Sequence, residues 1–270
     1  MHSSQVRKLI RPKNQQINAL IGLVLGVLAL AMLLLWRQVF PISDWAVVFL
    51  LLLAVLVLFA SFDASAAMYR AQIQVAVRID SPYASLLTGG LRAFLSSCAL
   101  TAVATILLAA SAVTSTSIEF IVICVIILLS QLVLIKVETA LRRHLTMPFA
   151  RMASLWVTTA LCGLVSVPLV AWLNWSITPI PAEIEHMTLM ATLQLSTDSL
   201  PDRRGWVSEV LGFFYALDYL KLWLVVHSKS QKLIGILFCV DAALITLVSA
   251  RTGAVLMSSA GLLRRFPDAK

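Results

Sequence analysis

The chain has 270 residues, of which 60% are hydrophobic and only 13% are charged. Its mean hydropathy is +0.93. Soluble domains carry about 25% charged residues, so this composition excludes a soluble globular protein and indicates an integral membrane protein. The net charge of +8 comes from basic residues spread among short polar links. That spread indicates contact with anionic membrane lipids, and no nucleic acid partner is expected.

Apolar runs separated by short links predict an all-α fold, a polytopic transmembrane helical bundle of six or seven spans. A single transmembrane domain is predicted at 17–263, between a basic cytoplasmic tail at 1–16 and a basic tail at 264–270. The predicted spans lie near 17–36, 45–62, 91–113, 118–137, 154–175, 206–227 and 233–251.

Local features refine four of these spans. Gly22 and Gly26 form a GxxxG pattern in the first span, which allows close approach of a neighbouring helix. The link from Thr114 to Ser117 is so short that the third and fourth spans must be antiparallel. Pro168 predicts a kink or a close helix contact in the fifth span.

The distribution of basic residues and tryptophans indicates how the chain is oriented in the membrane. With the amino terminus in the cytoplasm, most Lys and Arg residues of the links face inwards, including those of the link from His227 to Lys232. Trp36, Trp45, Trp172, Trp175 and Trp206 then all fall at the outer boundary, as an aromatic belt does.

The carboxyl end breaks this pattern. A seventh crossing would leave Arg264, Arg265 and Lys270 outside the membrane. Either the last segment turns back through Thr252 to Leu263, or the positive-inside rule fails there. The sequence leaves this choice open.

Apart from the lysines of the basic link, five charged residues occur in the two apolar arms of the stretch from Trp206 to Arg251. If its two arms are antiparallel helices that turn at the basic link, Asp218 lies level with Asp241, and Lys221 lies within one turn of both. The same geometry places Glu209 level with Arg251, as an outer charge pair. Charges in hydrocarbon are costly unless they face the protein and find partners, so this agreement in depth supports a buried hairpin.

Three roles are open for the intramembrane charge cluster of Asp218, Lys221 and Asp241. It can be a structural set of ion pairs, part of an ion or proton pathway, or a pair of catalytic acids. Lys221 neutralises one of the two carboxylates, which favours the first role. No HExxH, GxxxxGK[ST] or GxSxG motif occurs, and the four cysteines show no metal-ligand spacing. We therefore expect no enzyme activity, no metal and no cofactor.

The order of elements from Ser154 to Val226 resembles the helix, pore helix, filter and helix layout of pore-loop cation channels. Asp198 and Pro201 match the Asp and Pro that follow the filter in that family, and Thr192 falls at the place of a pore-helix threonine. The filter glycines are absent, since the chain has Leu195, Ser196 and Thr197 where the family has Gly-Tyr-Gly. The resemblance implies a pore-loop architecture without a potassium-type filter.

Two classes of function follow. The first is an oligomeric ion channel or pore-forming subunit, with a possible mouth formed by the outer acids Glu183, Glu185, Asp198 and Asp202. The second is a non-conducting membrane anchor or assembly subunit of a multiprotein complex. A secondary transporter is a weaker alternative, because no internal repeat is visible.

The expected partners are membrane lipids and either further copies of the chain or other proteins of a membrane complex. A soluble partner could also dock on the cytoplasmic basic links. The expected location is a bacterial inner membrane.

Overall fold

Backbone amides in hydrocarbon must be hydrogen-bonded within their own segment, so apolar runs of this length are expected to form helices. The computed structural model describes residues 3–76, 90–146, 149–177, 182–198, 200, 205–228 and 231–263, with only the backbone at some helix ends. Every regular element in these residues is helical, and the predicted all-α bundle is confirmed.

Eight α-helices and two short 3-10 helices, Asp44–Ala46 and Ala182–His186, occur in the described part of the chain. The α-helices are α1 (Ser3–Val39), α2 (Val47–Ala76), α3 (Gly90–Thr114), α4 (Ser117–Leu141), α5 (Phe149–Ile177), α6 (Leu189–Asp198), α7 (Trp206–His227) and α8 (Gln231–Leu263). All of them except α6 are long and apolar enough to cross a membrane.

The helix ends differ from the sequence prediction in one place. Helix α1 begins at Ser3, so most of the segment predicted as a basic tail at 1–16 is helical, and the part of α1 that is apolar enough to cross a membrane begins at Ile17. The predicted tail at 264–270 lies outside the described residues. Pro168 lies inside α5, where the sequence predicts a kink or close contact.

The bundle has two ends that differ in side chains. The end that we call the tryptophan end carries Trp36, Trp45, Trp172 and Trp175, and Arg37 donates there to the Ser115 carbonyl at 3.1 Å. At the opposite end, the arginine end, Arg92 lies over the Tyr69 ring at 4.9 Å. Helices α1 to α5 run alternately between these two ends.

Helix α8 occupies the middle of the bundle. It packs against α1, α2, α3, α4 and α5, and its residues from Thr252 to Ala260 are all buried. Small side chains permit this approach, and a Cβ at Gly253 would overlap the Ile127 carbonyl of α4. Gly22, in the GxxxG pattern of α1, also allows close approach of α8, because a Cβ at Gly22 would overlap Met257.

The direction of α8 follows from its contacts with α5. Near its start, Asp241 lies beside Asn174 at the tryptophan end. Near its finish, the Ser258 carbonyl accepts a hydrogen bond from Arg151, which lies at the arginine end. Helix α8 is therefore antiparallel to α5 and finishes at the end where α1 begins.

Helix α7 follows a different path from the other long helices. At its start, a Cβ at Gly205 would overlap the carboxylate of Asp44 at the tryptophan end. In its middle, Asp218 lies close to Thr114, which ends α3 at the same end. Near its finish, Trp223 donates at 3.1 Å to the carbonyl of Met187, in the segment after α5.

Helix α7 is about 33 Å long at about 1.5 Å per residue, yet both of its ends lie at the tryptophan end of the bundle. It lies across that end, whereas the other six long helices of the described residues run between the two ends. The predicted membrane-spanning hairpin was therefore wrong in orientation. The link from His227 to Lys232 follows a helix that finishes at the tryptophan end, and the sequence had placed it in the cytoplasm.

Candidate functional site: charged clusters at the two ends of the last helix

Three charged side chains meet where α7 passes over α8. The Lys221 ammonium donates to Asp241 Oδ2 at 2.8 Å and to Asp218 Oδ1 at 3.2 Å. Asp218 and Lys221 lie three residues apart on α7, so they share one face of that helix. The structure thus brings together the three residues that the sequence placed at one depth. We call them the Lys221 cluster.

Two further polar residues lie beside the Lys221 cluster. The Asn174 amide nitrogen lies 3.5 Å from Asp241 Oδ2. With the amide turned over, the nitrogen donates to Glu119 and to the Val170 carbonyl, both at 3.1 Å. We favour the turned orientation, because two good hydrogen bonds replace one long one. Glu119 also accepts from the Thr116 amide at 2.7 Å and so caps α4.

The Lys221 cluster is partly open to its surroundings. The side chains of Asp218, Asp241 and Lys221 are 37%, 28% and 20% exposed. Ion pairs exposed to this extent stabilise a fold less than sealed pairs do, because water screens them. The cluster therefore attaches α7 to α8 and leaves carboxylate oxygens accessible at the tryptophan end.

A second cluster joins three helices at the arginine end. Arg151, near the start of α5, forms an ion pair of 2.7 Å with Asp63 of α2. The same guanidinium donates to the Ser258 carbonyl of α8. We call these residues the Arg151 cluster. No sequence prediction singled out Arg151 or Asp63, although a lone acid in an apolar run was a signal that could have been used.

The two clusters bracket one membrane-sized stretch of α8. Asp241 and Ser258 are separated by about 26 Å along the helix, at about 1.5 Å per residue. The hydrocarbon core of a bilayer is about 30 Å thick. The stretch between the clusters is therefore long enough to occupy most of the apolar layer, and the clusters hold the central helix at both ends of that stretch.

The predicted pair of Glu209 and Arg251 does not form, so that prediction was wrong. Glu209 is exposed on the first turn of α7, at the tryptophan end. The Arg251 guanidinium lies over the Trp156 ring of α5, with 5.1 Å from Cζ to the ring centroid. The two residues are at different depths because α8 runs away from the tryptophan end while α7 stays there.

The predicted pore mouth is only partly described. Glu185 and Asp198 are exposed, whereas Asp202 and the side chain of Glu183 lie outside the described part. The residues that replace the filter glycines are helical, since α6 continues to Asp198 and the Ser196 hydroxyl donates to the Leu193 carbonyl at 2.6 Å. The resemblance to pore-loop channels stays a prediction.

Among the described residues, no group of three or more His, Cys, Asp and Glu side chains is arranged to hold a metal ion. The chemistry of both clusters is that of ion pairs and hydrogen bonds. In comparisons with known proteins, no family model, no curated protein and no solved structure matches this chain.

Proposed function

We propose that the chain is a non-conducting membrane subunit that assembles with other membrane proteins. The observation that carries this proposal is the position of α8 in the middle of the bundle. Its buried stretch from Thr252 to Ala260 occupies the axis that a pore through one chain would need. Gly253 brings α8 into backbone contact with α4, which supports a packed interior.

Buried polar side chains support the same interpretation. Gln131 is completely buried and donates to the Gly22 carbonyl at 3.1 Å, joining α4 to α1. The hydroxyl of Ser130 returns to the Ile127 carbonyl of its own helix at 2.8 Å, and that of Thr246 to the Ala242 carbonyl at 2.7 Å. The Gln131 bond holds two helices together, and the two hydroxyls are satisfied within their own helices, so these groups are used for packing and not to line a path for water.

The arginine end is the cytoplasmic end in this proposal. Basic side chains described there are Arg92, Lys136, Arg142, Arg143 and Arg151. Helix α8 finishes at the same end, and the sequence continues from it with Arg264, Arg265 and Lys270. With six crossings the carboxyl-terminal basic residues agree with the positive-inside rule, which a seven-span topology does not allow. The basic links at this end are the surface on which a soluble partner would dock.

A pore between copies of the chain is the second candidate. One observation favours it, namely the partial exposure of the Asp218 and Asp241 carboxylates at the tryptophan end. Acids at a mouth concentrate cations there. In this arrangement the conduction path would lie between bundles and not within one.

Two measurements on the full chain test the proposal. In liposomes, we expect cation and proton flux equal to that of empty liposomes, and no change in Asp241→Asn. In mild detergent, we expect protein from its own membranes to migrate as a larger complex than protein expressed alone in another host. Flux that exceeds the background and falls in Asp241→Asn would select the oligomeric pore. Equal sizes in the two preparations would contradict the assembly role.

A further inference from the structure

Arg251 is a charged residue in α8 whose charge is not balanced by its neighbours. Its guanidinium lies over the Trp156 ring, and its Nη1 atom is buried without a hydrogen-bond partner. No ion pair to Arg251 occurs among the side chains that the structure describes. A charged side chain inside a membrane segment is costly and usually has a partner, so an unpaired one calls for an explanation.

The depth of Arg251 is well defined by the two clusters. Along α8 it lies about 15 Å from Asp241 and about 10 Å from Ser258, at about 1.5 Å per residue. It is therefore in the middle of the apolar layer. Side chains of a helix lean towards its amino terminus, which for α8 is the tryptophan end, so Arg251 leans away from the nearer boundary.

Arg251 is half-buried, and the residues that precede it on the same stripe of α8 are exposed. These residues are apolar and recur at helical spacing, and they are Ile236, Val240, Leu244 and Leu247. Trp156, which covers the guanidinium, is itself 61% exposed. A helix of another protein can therefore reach this site from the membrane.

We propose that Arg251 and Trp156 form the contact site for a membrane-spanning helix of a different protein, one that carries a carboxylate near the middle of its span. The carboxylate would pair with the guanidinium while the helix packs on the apolar stripe of α8. This inference rests on the proposed assembly function and names the class of partner.

A second copy of the chain does not supply the required carboxylate. Of the thirteen acidic residues, only Asp44, Asp63, Glu119, Glu138 and Asp241 lie in the candidate spans of the six crossing helices. Asp44, Glu119 and Asp241 lie towards the tryptophan end of the bundle and Asp63 and Glu138 towards the arginine end, and Asp63 is already paired with Arg151. A lipid phosphate is also disfavoured, because it would have to leave the headgroup layer and enter the hydrocarbon by about 10 Å.

The test uses the full chain in phosphatidylcholine liposomes with synthetic helices as probes. Each probe is a labelled Leu/Ala helix with lysine flanks, and it carries Asp at its centre, Asp near one end, or no Asp. Association is measured by energy transfer to the labelled protein. We expect the central Asp helix to associate about tenfold more strongly than the other two, which is the order of effect of one polar contact between membrane helices.

Variants of the chain assign the effect to the site. Arg251→Leu should remove the preference for the central Asp, and Arg251→Lys should keep most of it. Leu244→Ala, on the same stripe, is the matched control and should leave the preference unchanged. The probe series on the wild-type chain tests the site even if Arg251→Leu does not fold.

Three results would overturn the inference. They are equal association of the three probes, a preference that survives in Arg251→Leu, and loss of the preference when phosphatidylglycerol is added, which would identify a lipid phosphate as the partner. Ion flux through the same liposomes is recorded in parallel. Failed association without flux overturns this inference alone, whereas flux that falls in Asp241→Asn overturns the proposed function.

Discussion

Arg151 and Asp63 form an ion pair of 2.7 Å between α5 and α2, and Arg151 also donates to the Ser258 carbonyl of α8. One guanidinium therefore joins three helices at the arginine end. At the other end, Lys221 joins α7 to α8 through Asp241. The central helix is held by ion pairs at Asp241 and by Arg151 at Ser258, and close packing fills the distance between these two points.

Removal of Arg151 should weaken the bundle. Arg151→Met leaves Asp63 unpaired in a site where its side chain is only 18% exposed. We expect a loss of about 2 kcal/mol in the free energy of unfolding, less than for a fully sealed pair because water reaches both groups. The measurement is denaturant unfolding in detergent micelles or bicelles.

Two variants test whether that loss comes from the unpaired charge. Arg151→Met combined with Asp63→Asn should lose less stability than Arg151→Met alone, because no buried charge is left over. Arg142→Met removes a pair of 2.6 Å with Glu138 in which the arginine is 50% exposed, and it should cost less than about 0.5 kcal/mol. If the double variant were less stable than Arg151→Met alone, the loss could not be attributed to the unpaired charge of Asp63.

Close packing of α8 on α4 should make Gly253 intolerant of a side chain. A Cβ there would overlap the Ile127 carbonyl and the Ser130 hydroxyl, so Gly253→Ala should lower the unfolding free energy by about 1 to 3 kcal/mol. Gly235→Ala is the matched control on the same helix, since nothing lies near its Cβ position. The control should be neutral or stabilising by up to about 1 kcal/mol. Equal changes in the unfolding free energy at the two glycines would show that helix propensity, and not packing, determines the effect of the substitution.

Within the Lys221 cluster, the lysine should matter more than either acid. Lys221→Met leaves two carboxylates facing each other, and we expect it to cost about 1 to 2 kcal/mol. Asp218→Asn removes the longer contact, at 3.2 Å, from the more exposed acid, and it should cost about 0.5 kcal/mol. Thermal unfolding midpoints of the two variants in detergent, measured beside the wild type, provide the comparison. A lower midpoint for Asp218→Asn would contradict this order.

The position of α7 predicts which links are on the same side of the membrane. In a chain whose four cysteines are replaced, His227→Cys and Ile42→Cys should react with a membrane-impermeant thiol reagent from one side. His144→Cys should react only from the other side. All three sites are exposed in the structure, so accessibility does not limit the reaction. If His227→Cys reacted from the same side as His144→Cys, α7 would cross the membrane, and the position of α7 across the tryptophan end would be contradicted.

Sequence reasoning succeeded where the signal is local. The apolar run from Ile17 to Trp36 is long enough to need a helix, and Thr114 to Ser117 is too short for anything but an antiparallel turn. The meeting of Asp218, Lys221 and Asp241 was also predictable, because a short link fixes which residues of two neighbouring helices can be close. Glu209 and Arg251 were paired by the same rule and do not meet, because the rule assumes that the two arms stay side by side.

The amino-acid sequence by itself determined that this is a helical membrane protein, where its apolar helices lie, and which charges near the link between α7 and α8 come together. Only the tertiary structure decided that α7 lies across the bundle, that α8 finishes beside Arg151, and that Arg251 lies against Trp156 with no carboxylate partner among the described side chains. The reason is physical: hydrophobicity states that a segment avoids water, but an apolar helix can do so by crossing the membrane or by lying on the end of a bundle. The choice depends on contacts between residues far apart in the chain, such as Gly205 with Asp44 and Arg151 with Ser258.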